Sequence, residues 1–188
     1  MDRTKIDPVF LNRYEKHEDE LRQLYWELYH DEQAFEYFSG MLYRMWEDRS
    51  KDLKKLDEIR ERDGAWYKGH ELFGMLMYVN AFAGSLNGVR DRLDYLEDCG
   101  VNYLHLMPIL DSPEGRSDGG YAVSDFRKIQ PELGTMKDLV ALTKDCHKRG
   151  MCVCLDFVMN HTSEDHAWAK AARAGDKSMQ DRYFFYDD

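Results

Sequence analysis

A chain of 188 residues suffices for one ordinary domain, or for a small domain joined to part of a larger one. Its 43% hydrophobic and 13% aromatic residues exclude a disordered or low-complexity chain, and 36 acidic against 26 basic side chains leave a net charge of −10 that disfavours nucleic acid or an anionic membrane as partner. Apolar runs far below the roughly 20 residues a bilayer demands, an N-terminus unlike a signal peptide, and four cysteines without metal or redox spacing predict a cytoplasmic protein with reduced, buried thiols.

Residues 1–67 read as a helical domain. Leu21, Leu24, Tyr25 and Leu28 fall on one helix face, and Asp31 is placed to cap a second helix carrying Phe35, Phe38, Leu42, Met45 and Trp46. Lys51 to Asp63 is charge-dense, with only Leu53, Leu56 and Ile59 as a thin apolar line, and Gly64 is a natural stop. From residue 68 the pattern becomes short apolar runs alternating with amphipathic stretches, the mark of βαβ units and a parallel sheet. Leu72–Val79 is expected to be a strand covered on both faces, followed by a helix with Val89, Leu93 and Leu96 inward that ends at Gly100.

Val101–Met107 reads as a second strand, stopped by Pro108, and no helical signal returns until Thr135. So long a connection is more than a connector. Thr135 and Asp138 form a capping box for a helix with Leu139, Leu142 and Cys146 inward, closed by Lys148, Arg149 and Gly150. The third strand is Met151–Val158, where Cys152 and Cys154 share a face as small core residues. Ser163 is placed to cap a last helix through Ala174, before an aromatic tail, Tyr183 to Tyr186. Met41, Met45, Met75 and Met77 read as core filling.

Two segments gather residues fit for chemistry, both just past the carboxyl ends of predicted strands, where α/β folds build their sites. In Ser117-Asp118-Gly119-Gly120-Tyr121 the paired glycines permit a bend that brings a carboxylate and an aromatic ring onto one ligand, a combination suited to a sugar; the same residues also make an ordinary turn. In Asp156-Phe157-Val158-Met159-Asn160-His161 the carboxylate lies in an apolar run and must have a partner; Asn160 and His161 just beyond can donate hydrogen bonds, and His161 can meet a substrate hydroxyl or developing charge. A strand-end cap, with Asp156 and Asn160 pinning the following loop, explains the second segment as well. His161, Asp165 and His166 invite a metal reading, but the two histidines miss the i, i+4 spacing and no cysteine joins them.

In order along the chain, Met77-Tyr78-Val79-Asn80-Ala81-Phe82-Ala83-Gly84, Tyr103-Leu104-His105-Leu106-Met107-Pro108, Pro113-Glu114-Gly115-Arg116-Ser117-Asp118-Gly119-Gly120-Tyr121-Ala122-Val123-Ser124, Leu133-Gly134-Thr135 and Asp156 to Ser163 resemble the alpha-amylase superfamily of glycoside hydrolases. Within it they look most like the amylosucrase group. The resemblance implies an N-terminal helical domain (1–67), the first three βα units of an α/β (β/α)8 barrel (68–160), and the start of a loop domain inserted after the third strand (161–188). It also implies a retaining double displacement on sucrose that releases fructose and passes glucose to an α-glucan acceptor. His161 would then hydrogen-bond the glucosyl ring, Tyr121 would stack on it, and Asp118 would close the pocket floor by pairing with an arginine from a later barrel loop. Asp156 would support the site structurally and Asn160 would anchor its loop, without metal or cofactor. The family's nucleophilic Asp and acid Glu are expected beyond residue 188, because Gly88-Val89-Arg90-Asp91-Arg92 only imitates the nucleophile pattern and lies on a predicted helix. An N-terminal part of a larger enzyme, inactive without the rest of its barrel, is the expectation. A sucrose hydrolase or another α-glucosidase of the superfamily is the enzymatic alternative, and a non-catalytic carbohydrate-binding fragment the alternative of another class.

Overall fold

The computed structural model describes residues 3–186, which divide into two compact units, residues 3–66 and 67–186. Among the described residues the first holds four α-helices: α1 (Pro8–Glu15), α2 (Glu18–Tyr29), α3 (Glu32–Asp48) and α4 (Lys51–Arg62). Each of three starts has a side-chain cap: Asp7 Oδ1 accepts from Val9 N at 2.8 Å, Asp31 from Ala34 N at 2.9 Å and Ser50 Oγ from Leu53 N at 3.4 Å. Ile6, Phe10 and Tyr14 form the centre, packed by Leu21, Leu42, Tyr43 and Trp46, and the Tyr14 hydroxyl meets buried Ser39 Oγ at 2.8 Å. The thin apolar line of α4 leaves that helix without a buried residue. Two expectations fail in this unit, because Leu24 and Leu28 of α2 and Met45 of α3 are exposed rather than packed inward.

The second unit carries a parallel sheet in the order β1 (Gly74–Met77), β2 (Tyr103–Leu106), β5 (Cys152–Leu155). The strands are shorter than the apolar runs that signal them. After β1 the extended residue Tyr78 leads into α5 (Val79–Ala83), and α6 (Leu86–Arg90) and α7 (Leu93–Asp98) follow in place of one continuous helix. Val89, Leu93 and Leu96 are nevertheless all buried. Gly88 is required there, since a Cβ would stand 2.0 Å from the Ala83 carbonyl oxygen. The helix α8 (Met136–Lys148) has the expected capping box, Thr135 with Asp138, and buries Leu139, Leu142 and Cys146.

Register explains the two faces of this sheet. Gly74, Tyr103 and Cys152 stand in one row, Met75, Leu104 and Val153 in the next, then Leu76, His105 and Cys154, then Met77, Leu106 and Leu155. In a pleated sheet alternate rows point to opposite sides. Met75, Met77, Leu104, Leu106 and Val153 therefore pack into the core built with α6, α7 and α8, whereas Leu76, Tyr103, His105, Cys152 and Cys154 share the other face, where Leu76 is exposed. The expectation of a sheet covered on both faces is corrected accordingly. So is the reading of Cys152 and Cys154 as core: both are half-buried on that open face, Cys99 is exposed, and Cys146 alone of the four lies in the core, where burial pushes its thiol up to about 11.

The connection after β2 is not plain loop. It contains an antiparallel pair, β3 (Leu110–Asp111) and β4 (Asp125–Ile129), closed by Ser124 Oγ donating to Asp111 Oδ2 at 2.9 Å. After β5 the chain runs to α9 (Ala167–Arg173) and α10 (Lys177–Gln180). The cap of α9 is His166, whose Nδ1 accepts from Trp168 N at 3.1 Å; the expected Ser163 instead accepts from Asp165 N at 3.1 Å, three residues too early to start the helix. Ser163 N donates to Val123 O at 2.8 Å and so ties this segment to the β3–β4 connection. Among the described residues no helix is long and apolar enough to cross a membrane.

Candidate functional site

The carboxyl ends of β1, β2 and β5 lie side by side because the strands are parallel and in register. Asp156 follows the last residue of β5, one step past the strand rather than inside it. Two residues beyond Cys154, it falls on the open side of the pleat, the side of His105. The partner this carboxylate requires is accordingly found on the neighbouring strand: His105 Nε2 lies 2.9 Å from Asp156 Oδ1. The other oxygen, Oδ2, accepts the Tyr121 hydroxyl at 2.8 Å. Both oxygens are thus occupied by side chains from segments 35 and 51 residues away in sequence.

The electrostatics follow from these bonds. Asp156 is held below its ordinary value, first by the hydrogen bond from His105, then by that from Tyr121, against the opposing effect of burial. A carboxylate that stays ionised can only accept, so His105 Nε2 carries the proton of that bond. The Tyr121 phenol moves up, chiefly because it donates to Asp156, and also through partial burial and the nearby Tyr78 and Asp118.

The turn that delivers Tyr121 is strained in a way only its sequence permits. Asp118, Gly119 and Gly120 have φ of 49°, 69° and 95°, three successive left-handed residues. At Gly120 a Cβ would stand 2.8 Å from Pro108 Cβ, and at Gly119 one would stand 3.2 Å from the Tyr78 hydroxyl. The segment is therefore the turn that its paired glycines allow. Exposed Asp118 heads it and half-buried Tyr121 closes it.

Asn160 and His161 are placed differently. Asn160 Nδ2 lies 3.3 Å from His161 Nδ1, and both residues are exposed. Asp156 is not bonded to either, which corrects the expectation that the residues just beyond it would satisfy or pin it: the chain leaves the sheet there, while strand register brings His105 alongside. Of the residues behind the metal alternative, Asp165 is engaged by Arg116 at 2.6 Å and Lys170 at 3.1 Å, and His166 caps α9. Among the described residues no cluster of three or more His, Cys, Asp or Glu could hold a metal ion.

His105 and Tyr78 escaped selection from sequence. His105 has a signal that could have found it, a polar residue alternating with buried Leu104 and Leu106 in a core strand. Tyr78, between β1 and α5, has none. Gly88-Val89-Arg90-Asp91-Arg92 spans α6 and its end, with Arg90 bonded to Asp145 at 2.8 Å.

Comparisons with known proteins agree with this architecture. A family model described as the alpha amylase catalytic domain matches residues 23–188. A trehalose synthase/amylase of Mycobacterium tuberculosis is 41% identical over 133 residues, 67% of this chain and 22% of that protein, and an oligo-1,6-glucosidase of Bacillus sp. strain F5 is 41% identical over 105 residues, 55% and 20% respectively. Among solved structures, an isomaltulose synthase mutant of Erwinia rhapontici NX5 in complex with D-glucose matches at 34% identity with a TM-score of 0.59, covering 63% of this chain and 22% of that one. The chain thus spans about a fifth of the length of the curated relatives it matches. Its unclosed parallel sheet with covering helices corresponds to the N-terminal part of a (β/α)8 enzyme. With the family model matching most of its length, the chain belongs to the alpha-amylase catalytic-domain family.

Proposed function

We propose that this chain supplies the glucosyl-donor side of a retaining enzyme that acts on α-glucosides, in the amylosucrase manner: sucrose as donor, fructose released, glucose passed to an α-glucan acceptor. The observation that carries this is the Tyr121 ring, anchored through its hydroxyl to Asp156 at 2.8 Å and set beside Asp118 by three left-handed residues, at the carboxyl ends of parallel strands. A fixed ring face suits the C–H face of a glucosyl unit and a nearby exposed carboxylate suits its hydroxyls or an arginine. His161 completes the subsite as hydrogen-bond donor to the glucosyl ring, with Asn160 anchoring its loop.

In the reaction so read, a carboxylate attacks the anomeric carbon, the bond to fructose breaks as an acid protonates the leaving oxygen, and an acceptor hydroxyl then displaces the carboxylate with retention. Nucleophile and acid belong to other segments of the barrel, as the family resemblance implies, and this chain binds and orients the sugar. No cofactor or metal takes part in this reading. A cytoplasmic setting belongs to the same proposal; among the described residues no cysteine is in a disulfide.

Support for a sucrose donor comes from the narrow Pro-Glu-Gly-x-Ser-Asp-Gly-Gly-Tyr-Ala-Val-Ser segment and from matched isomaltulose synthase structures in complex with D-glucose and with sucrose. A second reading, hydrolysis, is favoured by the oligo-1,6-glucosidase and the trehalose-6-phosphate hydrolase of Bacillus subtilis among the relatives. Product analysis of the intact enzyme with sucrose separates the two. Fructose with glucan is the expected result; fructose with equimolar free glucose would establish the hydrolase instead, and no turnover would remove sucrose as donor.

A further inference from the structure

We propose that His105 is a positioning residue for the Tyr121 ring, acting through Asp156. The inference rests on the reading of Tyr121 as the ring that meets the donor sugar. A tyrosine ring held only by its backbone turn can swing about its side-chain torsions; one whose hydroxyl is also bonded cannot. Tyr121 has both restraints, the turn pressed against Pro108 and the bond to Asp156 Oδ2. That second restraint is only as fixed as the carboxylate plane, and a carboxylate bonded through one oxygen rotates about its terminal torsion. His105 Nε2, on Oδ1 at 2.9 Å, supplies the second point that stops this rotation. Its own orientation is set by β2, paired on both sides with β1 and β5. Strand register thereby reaches the sugar-facing ring through two hydrogen bonds.

An aliphatic residue at position 105 would suit its row of the sheet, since the adjacent positions, Leu76 and Cys154, carry no charge. Histidine there is explained by Asp156, which otherwise leaves one oxygen unbonded at the half-buried strand end. An imidazole can donate from Nε2 to Oδ1 while Oδ2 keeps the accepting capacity that Tyr121 uses.

The test is a double-mutant cycle in the intact enzyme, with sucrose and p-nitrophenyl α-D-glucoside as probes. His105→Leu and Tyr121→Phe should each lower kcat/KM by roughly 10-fold or more, as misplacing a positioned group does. The pair together should lose no more than the worse single variant, because both break one chain of contacts. His105→Gln, whose amide N–H can reach Oδ1, should recover most of the loss. Should His105→Leu fail to fold, His105→Asn, whose shorter amide stops short of Oδ1, takes its place. Additive losses, or no rescue by glutamine, would overturn the positioning role. Tyr121→Ala separates the two claims: if it lowers kcat/KM while His105→Leu does not, only the role of His105 falls; if it leaves kcat/KM unchanged on both probes, the donor-subsite reading falls and takes this one with it.

Discussion

Tyr121 is held by a left-handed turn, by the packing of Gly120 on Pro108 and by a hydroxyl bond to a carboxylate that His105 also holds, whereas His161 lies exposed with Asn160 as its hydrogen-bonding neighbour. The two sit near the ends of adjacent connections, yet one is fixed by sheet register and the other by its own loop. A ring that must present one face to a sugar gains from being fixed before the sugar arrives. A hydrogen-bonding imidazole can instead settle against its partner. This difference makes separate predictions for stability and for function.

The largest effect on stability is expected on the fixed arm. Gly120→Ala places a Cβ 2.8 Å from Pro108 Cβ at a φ of 95°, and should destabilise by roughly 2–4 kcal/mol in denaturant titration. A variant as stable as the parent would show that the turn is not held as described. Next comes Asp156→Ala, which strands the donors of His105 and Tyr121 and should cost about 1–3 kcal/mol by the same measurement. On the exposed arm, His161→Ala should leave stability within about 0.5 kcal/mol while strongly reducing turnover of α-glucosides by the intact enzyme. If His161→Ala destabilised as much as Asp156→Ala, the contrast between the arms would dissolve.

A pH effect sharpens the comparison from the other side of the Ser163–Val123 bond. Burial pushes His166 below its ordinary 6.5, and its Nδ1 must remain unprotonated to accept from Trp168 N. Below pH 6.5 the unfolded chain therefore binds more protons than the folded one, so this contribution is full above 6.5 and is lost as pH falls through the lowered value. Denaturation midpoints should drop between pH 7.5 and 5.5, less so in His166→Asn, which keeps a capping acceptor without titrating. Equal drops in both proteins would remove His166 as the cause.

Local signals made much of the fold legible. The capping box Thr135/Asp138, the cap Asp31, and the burial of Val89, Leu93 and Leu96 all follow from spacing and short-range hydrogen-bond chemistry. Asp156 announced itself by being a carboxylate in an apolar run, and the need for a partner was correct. Its partners were not legible, because they come from positions 35 and 51 residues away and are chosen by strand register, which no local pattern encodes. The same limit explains Cys152 and Cys154: alternation places them on one face, but which face meets the helices is settled by tertiary packing.

Whether these connections form the donor subsite is decided by the turnover of sucrose and p-nitrophenyl α-D-glucoside by the intact enzyme carrying Asp118→Asn. Asparagine tolerates the φ of 49° and keeps the shape while removing the charge, so fold is preserved. Turnover should fall by roughly 100-fold or more with an unchanged denaturation midpoint. Near-normal turnover on both substrates would contradict the donor-subsite reading.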